Sequence, residues 1–265
     1  MEAQNAWAAR PGSQARGCGG DEVLDHEEVD RELRVLTWNV RNHLGDPLAV
    51  QRVLRDAAPD VACLQEVSRW PGSRSRVAAL ARGAGLLYTC GGRASAGTAL
   101  LTSLRTDVRG PRAVRLPTGG WPTRSRGTAT AVVRLPGTQP VRVASVHLGL
   151  DEAERAMHVT TIMGQVSDSV PLVVAGDLNE PPDGPSWVAL TGHVAGHVAD
   201  TDAGGAPTFP AAHPRVRIDA VLADARLEVI AAGWPDGVRE VDVLAASDHR
   251  PVLAVLRLPL GLSLG

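Results

Sequence analysis

The sequence predicts an α+β sandwich in which packed β-sheets are covered by helices on the outside. Short runs rich in Val, Leu and Ala, bounded by turn residues, indicate strands and outnumber the helical candidates by roughly two to one. Several neighbouring strands are joined too briefly for a parallel crossover, which favours antiparallel pairing. With 265 residues, 44% of them hydrophobic, the chain is long enough for one large core.

The strand and helix candidates alternate along the chain from residue 33 onward. The predicted strands are 34–40, 60–65, 99–102, 128–135, 141–147, 172–175, 218–222 and 252–258. The predicted helices are 47–57, 75–82 and 151–167, and the last begins with a capping-box-like Asp151-x-x-Glu154. No internal repeat or low-complexity linker divides this region, so we expect one domain over residues 33–258.

Both ends of the chain are predicted to lie outside that domain. Residues 1–32 mix Ala, Gly, Gln and acidic residues without apolar periodicity, which predicts a disordered or weakly structured tail. Residues 259–265 are expected to form a C-terminal tail. The first thirty residues lack an apolar run of signal-peptide length, and no stretch reaches the roughly 18 apolar residues of a membrane span. We therefore expect a cytoplasmic protein without an integral membrane segment.

Charge and cysteine content exclude some classes of site. The net charge is −2 and every basic residue is arginine, so the overall balance does not indicate a nucleic-acid or anionic-membrane surface. Cys18, Cys63 and Cys90 are an odd set without a C-x-x-C pair. Neither a disulfide framework nor a cysteine zinc site is indicated.

Polar side chains stand where the predicted strands begin or end. Strands end on Glu66, on His147 and on Asp177 with Asn179, and strands begin after Asp219 and after Asp248–His249. In an antiparallel sheet the end of one strand meets the start of its neighbour, so these groups can converge on one edge.

Together with Asn39 the set comprises four carboxylates, two amides and two imidazoles. Hard oxygen ligands of this kind suit Mg²⁺ or Mn²⁺ better than Zn²⁺. Imidazoles can accept or donate protons near neutral pH. The inventory predicts a metal-assisted hydrolytic site.

Each residue alone also has a structural interpretation. Asn39 would serve as a turn or cap residue, Glu66 as an exposed strand-end charge, and Asp177-Leu-Asn179 as an Asx turn. Ser247–His249 would cap a helix or turn. The joint occurrence of these residues, in this order, favours the functional interpretation.

Six short motifs resemble, in sequence order, those of the endonuclease/exonuclease/phosphatase superfamily, the deoxyribonuclease I-like fold. They are Thr37-Trp38-Asn39, Leu64-Gln65-Glu66, Ser145-Val146-His147-Leu148, Gly176-Asp177-Leu178-Asn179, Arg217-Ile218-Asp219 and Ser247-Asp248-His249-Arg250-Pro251-Val252. The match covers about residues 33 to 258, and its ordered series is more specific than any single motif.

The resemblance implies a four-layer α/β/β/α sandwich of two mainly antiparallel sheets, and phosphoester cleavage by metal-activated water with Mg²⁺ or Mn²⁺. It implies metal ligands at Asn39, Glu66 and Asp248, and catalytic roles for His147, Asp177, Asn179, Asp219 and His249. Asp219 would hold His249 in a carboxylate–imidazole pair, which fixes the ring tautomer.

His147 resembles the histidine-containing branch of the superfamily, because the abasic-endonuclease branch typically has tyrosine at a comparable point. Thr98 departs from the family segment, in which asparagine commonly follows the glycine. The acid that supports the equivalent histidine in some relatives has no identifiable counterpart. Arg69 and Arg126 are candidates for binding substrate phosphate.

The function expected from the sequence is metal-dependent phosphodiester or phosphomonoester hydrolysis by a monomer that needs no stable protein partner. Phospholipid head groups, inositol phosphates and nucleic acid all remain open as substrates. Alternatives are a nuclease acting on DNA or RNA and a catalytically inactive binding module of the same fold. A serine hydrolase using Ser247, Asp248 and His249 is disfavoured, since neighbours in an extended segment point to opposite faces.

Overall fold

The computed structural model describes residues 31–41, 44–119, 124–165, 169–196 and 198–261. The predicted N-terminal tail lies outside these residues except for Arg31 and Glu32, as do residues 262–265 of the predicted C-terminal tail. No helix within the described ranges is long and apolar enough to cross a membrane.

Twelve strands in the described ranges form two sheets of six. They are β1 (Glu32–Asn39), β2 (Val61–Gln65), β3 (Leu87–Gly92), β4 (Thr98–Thr102), β5 (Asp107–Arg115), β6 (Gly127–Arg134), β7 (Val141–His147), β8 (Leu172–Asp177), β9 (Val198–Asp200), β10 (Asp219–Asp224), β11 (Glu228–Gly233) and β12 (Val252–Arg257). Sheet A has the order β11-β12-β1-β2-β4-β3, and sheet B has the order β5-β6-β7-β8-β10-β9.

The same part of the chain contains five α-helices and a short 3₁₀ turn, Arg93–Ser95. The helices are α1 (Pro47–Ala57), α2 (Ser73–Gly83), α3 (Glu152–Met163), α4 (Pro185–Gly196) and α5 (Glu240–Ala246). Proline at the start of α1 suits the first helical turn, and Asp46 accepts a hydrogen bond from the Leu48 amide as its N-cap. At α3 the predicted cap is confirmed, because Asp151 accepts from the Glu154 amide at 3.0 Å.

The predicted four-layer sandwich is confirmed. One apolar cluster lies between the two sheets and includes Val35, Val143 and Val173. A second cluster joins the outer face of sheet A to α1, α2 and α5, and a third joins the outer face of sheet B to α3 and α4. Each sheet is mainly antiparallel, with one parallel pair joined through a helix: β1–β2 across α1, and β7–β8 across α3.

Candidate active site

The site lies at one end of the cleft between the sheets, where the inward-facing positions of several strands change from apolar to polar. In β8, Val173 and Ala175 face the inter-sheet core, and Asp177 continues the same alternation. The same period-two alternation directs Asn39, His147 and Asp219 into the cleft. Four strands from both sheets therefore supply the site.

A layer of hydrogen-bonded polar groups separates this end from the apolar core. Gln65 donates through Nε2 to Thr37 Oγ1 at 3.2 Å and to the Cys63 carbonyl at 3.0 Å. Its Nε2 also lies 3.4 Å from Ser145 Oγ on sheet B. These buried bonds satisfy the polar groups beneath the site and tie the two sheets together.

Asp177 is the centre of the site. Its Oδ2 accepts a hydrogen bond from Asn39 Nδ2 at 3.0 Å, and its Oδ1 accepts from the Asn179 amide at 3.0 Å. His147 Nε2 lies 3.3 Å from Oδ2, and His249 Nε2 lies 3.9 Å from it. One buried carboxylate thus contacts four of the residues predicted from sequence.

The pKa values of Asp177 and His249 are both raised, which favours the neutral form of the acid and the charged form of the imidazole. Burial, followed by the charge of Asp219, raises the pKa of Asp177 to about 6. Burial opposes charge on His249, but the carboxylates of Asp219, Asp177 and Asp248 outweigh it and raise the pKa of His249 to about 9. An imidazolium therefore faces a carboxyl group that titrates near neutral pH.

His249 is held by contacts on several sides. Its Nδ1 donates to Asp219 Oδ2 at 3.0 Å, which confirms the spatial pairing of these two residues. Its carbonyl accepts from Trp38 Nε1 at 2.8 Å, and its amide donates to Ser247 Oγ at 3.1 Å. The Phe209 ring packs against the imidazole at a centroid distance of 4.8 Å. The ring is consequently fixed in position.

Ser247 has a structural role. It is the C-cap of α5, and its hydroxyl donates to the Asn39 carbonyl at 2.6 Å. The cap interpretation of this segment therefore agrees with the structure, and Ser247 ties the loop before β12 to the end of β1.

The residue that contacts Nδ1 of His147 is an arginine, whereas an acid supports the equivalent histidine in some relatives. Arg126 is 7% exposed and places a guanidinium nitrogen 3.3 Å from His147 Nδ1. Because guanidinium only donates, Nδ1 accepts, and Nε2 carries the proton that points at Asp177. Burial and the nearby charge of Arg126 hold the pKa of His147 well below its usual range. Sequence reasoning missed this contact, since the burial of Arg126 cannot be read from its neighbours.

Glu66 adopts a left-handed backbone with φ of 54°, which is rare for a residue with a long side chain. Its carboxylate is 29% exposed and lies 3.9 Å from the guanidinium of Arg126. The backbone amide of the next residue, Val67, donates to the Gly97 carbonyl at 2.9 Å and holds this turn. The strained turn directs Glu66 toward the mouth of the cleft.

The other predicted metal ligands are Asn39, which pairs with Gln65 directly before Glu66, and Asp248. Asp248 is 38% exposed and pairs with Arg41 at 3.4 Å. Asn39 accepts through Oδ1 from the Arg41 amide at 3.0 Å. Within the described ranges, the acids and histidines whose ligand atoms all lie within 4.8 Å of one another are Asp177, Asp219 and His249, which differs from the metal set predicted from sequence.

Asn179 forms the Asx turn of its structural interpretation and lies next to Asp177. Its amide bond to Asp177 forms the expected Asx turn, and its φ of 54° is one that asparagine tolerates. The side-chain Nδ2 donates to the Leu148 carbonyl at 2.9 Å, which connects the loops after β7 and β8.

Arg69 and Thr98 differ in burial. Arg69 is exposed, and its aliphatic stem lies over Gly97. Thr98 is buried and donates to the Gly127 carbonyl at 2.9 Å, so it connects β4 to β6 beside Arg126.

Solved structures of similar proteins share this fold. An endonuclease/exonuclease/phosphatase from Beutenbergia cavernae DSM 12333 is 27% identical, with a TM-score of 0.67 over 86% of this chain and 72% of that chain. The mannosyl-6-phosphatase Bt3783 of Bacteroides thetaiotaomicron is 18% identical, with a TM-score of 0.69 over 84% of this chain and 99% of that one. The human Nocturnin catalytic domain with bound sulfate is 17% identical, with a TM-score of 0.65 over 86% and 95% of the two chains. No curated protein matches the sequence.

The sequence model of the endonuclease/exonuclease/phosphatase family matches residues 36–249. That range contains every residue of the site described above, from Asn39 to His249. On this match, together with the sandwich and the carboxylate–imidazole cluster between its sheets, the chain belongs to the endonuclease/exonuclease/phosphatase family.

Proposed function

We propose that the chain is a Mg²⁺- or Mn²⁺-dependent phosphoester hydrolase of the histidine-containing branch, and that it cleaves a P–O bond by direct attack of water. The observation that carries the proposal is the contact of one buried carboxylate, Asp177, with the imidazole of His147 at 3.3 Å and its approach to that of His249 at 3.9 Å. A carboxyl group and two imidazoles can hold a water molecule and a phosphoryl group in one place. The family relationship and the mannosyl-6-phosphatase among the structural neighbours support phosphoester chemistry.

The residues at the mouth of the cleft fit a hard divalent cation. Four carboxylates converge here, and burial followed by the charge of Asp219 raises the pKa of Asp177, so a bound cation would offset negative charge that the fold gathers in this place. Glu66 keeps a partly exposed carboxylate on a strained backbone. We assign Glu66, Asn39 and Asp248 as the residues that would hold the ion. Such an ion supplies charge neutralisation on a phosphoryl oxygen and acidifies bound water.

Asp177 is the proposed proton acceptor. A carboxyl group with a pKa of about 6 accepts a proton from the attacking water more readily than an ordinary aspartate, and still ionises at neutral pH. Asn39 and the Asn179 amide fix its orientation. The Nε2 proton of His147 adds a third donor to the same carboxylate.

His249 is the proposed electrostatic partner of the phosphoryl group. With Nδ1 engaged by Asp219, the Nε2 proton of the imidazolium projects toward Asp177, where it can donate to a phosphoryl oxygen. Asn179 lies beside this position and is assigned to orient the water or to donate to the same phosphoryl group. Arg69 and Arg126 are the candidate cations for the rest of the phosphate.

Hydrolysis of bis(p-nitrophenyl) phosphate and of p-nitrophenyl phosphate tests the proposal. Protein dialysed against EDTA should be inactive and should recover with Mg²⁺ or Mn²⁺. His249→Ala should lower kcat by about 10²- to 10⁴-fold, the range typical of a lost acid–base or oxyanion contact. His213→Ala, which changes a histidine outside the site, is the control. A His249→Ala protein with full activity would show that the assigned site is wrong.

A further inference from the structure

The charge of residues 31–265 is divided unequally between two segments. Residues 31–135 contain 17 arginines and 6 acidic residues, whereas residues 136–265 contain 8 arginines and 16 acidic residues. The net charge of −2, to which the acidic N-terminal 30 residues also contribute, therefore hides a strongly basic segment. A basic surface of this kind attracts polyanions.

Part of that basic segment lines a cavity beside the active site. The cavity has a volume of about 530 Å³, and its lining includes Arg74, Arg93, Arg115, Ser73 and Tyr88. The guanidinium of Arg74 lies 5.7 Å from the centre of the Tyr88 ring, and Arg115 donates to the Arg93 carbonyl at 3.2 Å. Among the described residues, no carboxylate forms an ion pair with any of these three arginines. Their charge is available to a ligand.

The register of sheet B places this cavity in line with the site. Arg115 pairs with Gly127, Gly127 pairs with His147, and His147 pairs with Asp177. Arg115 is two strands from His147, so their backbones are about 10 Å apart at the usual strand spacing. A distance of this size separates a phosphate from one that lies one or two nucleotides further along a strand.

An exposed tryptophan lies in the loop that leads from Glu66 to the cavity residue Ser73. Trp70 follows Glu66 and Arg69 in the same loop and is 68% exposed. Its carbonyl accepts from the Ser73 amide, and the Ser73 hydroxyl accepts from the Arg93 amide at 3.2 Å. The loop that carries Glu66 is thus connected directly to the arginine cavity.

We propose that the cavity lined by Arg74, Arg93 and Arg115 binds a second phosphate of the substrate, and that the substrate is a single strand of nucleic acid. Proteins that bind single-stranded nucleic acid combine arginines that contact the phosphate backbone with exposed aromatic rings that stack on the bases. An inositol phosphate would use the arginines but not Trp70, and an anionic bilayer surface is the other polyanion that the test below compares. The proposal rests on the proposed function, because the scissile phosphate is taken to lie at Asp177 and His249.

The test compares two double variants that remove the same charge. Arg93→Gln/Arg115→Gln alters the cavity. Arg82→Gln/Arg109→Gln is the control, because Arg82 lies at the end of α2, and Arg109 lies on β5 away from the site with its side chain 75% exposed. Binding of a short fluorescein-labelled oligothymidylate is measured by anisotropy in EDTA, where no turnover is expected. Hydrolysis of bis(p-nitrophenyl) phosphate is measured separately with Mg²⁺.

We expect the cavity variant to weaken oligothymidylate binding by about 10- to 100-fold, as the loss of two charged hydrogen-bond donors implies. The slope of log Kd against log salt should become shallower by about 1.4 for two lost contacts. The control variant should match the wild type in both measurements. Equal oligothymidylate binding by all three proteins would overturn the proposal. It would also be overturned if the cavity variant lost more affinity for phosphatidylserine vesicles or for inositol hexakisphosphate than for oligothymidylate. Failure to hydrolyse the diester would instead count against the proposed function.

Discussion

At the scale of single residues, the proposed proton chemistry of the site depends on the pair formed by Asp219 and His249. Asp219 is fully buried and accepts from His249 Nδ1. Changing it to asparagine keeps the shape of the side chain and removes the charge that holds the imidazolium.

We expect Asp219→Asn to lower kcat by about 10²- to 10⁴-fold, the scale of losing a general acid–base contribution. Because Asp219 raises the pKa of His249, its loss lets the imidazole deprotonate earlier, and the alkaline limb of kcat should move to lower pH. Asp224→Asn is the matched control, since Asp224 is 1% exposed at the other end of β10. The residue assignment is wrong if both variants have the same pH profile.

The same imidazole should make the stability of the metal-free protein depend on pH. The pKa of His249 is raised from 6.5 to about 9 in the folded state, so its contribution is complete below about pH 6.5 and is lost as the pH rises through 9. A shift of this size corresponds to at most about 3 kcal/mol. Urea unfolding in EDTA should give a lower free energy of unfolding at about pH 9.5 than at pH 6.5, and His249→Gln should remove most of that difference. An unchanged pH dependence in His249→Gln would contradict this account.

The sequence motifs predicted the residues of the site but not the side chains that pack around them. The convergence of Asn39, His147, Asp177, Asp219 and His249 follows from period-two alternation at strand ends, which is visible in sequence. The contact between Arg126 and His147 is not visible, because it depends on which side chains the β6–β7 pairing buries.

At the scale of elements, the four strands that sequence reasoning missed are β3, β5, β9 and β11. These are the two edges of each sheet. Edge strands have one neighbour and more solvent contact, so their apolar pattern is weak; β5 and β11 are mostly exposed, and both pair through a register shift. The central strands were found because both their faces are buried. Helices α4 and α5 were also missed, and α5 has only seven residues.

The N-cap of α3 gives a test at this scale. Asp151 accepts from the Glu154 amide, and this helix forms the crossover between β7 and β8, which carry His147 and Asp177. Asp151→Ala should lower the free energy of unfolding by about 1 kcal/mol, whereas Asp151→Asn, which retains an N-cap acceptor, should change it little. Urea denaturation measures both. Equal effects from the two variants would show that the cap does not contribute through its acceptor.

At the scale of the whole molecule, the site exists only where the two sheets meet. Asn39 and Glu66 follow strands of sheet A, whereas His147 and Asp177 belong to sheet B. The sandwich therefore acts as the scaffold, and the contact of Gln65 with Ser145 joins its two sheets beneath the site. The sequence predicted this architecture from the order of the motifs. It did not predict the basic cavity, because a net charge sums over the whole chain.

The most direct test of the central claim is the Mg²⁺ dependence of bis(p-nitrophenyl) phosphate hydrolysis by the wild type and by Glu66→Gln. We expect no activity of the wild type in EDTA and saturable activation by Mg²⁺. Replacing the carboxylate of Glu66 by an amide should raise the Mg²⁺ concentration for half-activation by at least about 10-fold, the cost of removing one charged ligand contact. Wild-type activity that persists in EDTA, or a Glu66→Gln protein with an unchanged Mg²⁺ requirement, would contradict the account.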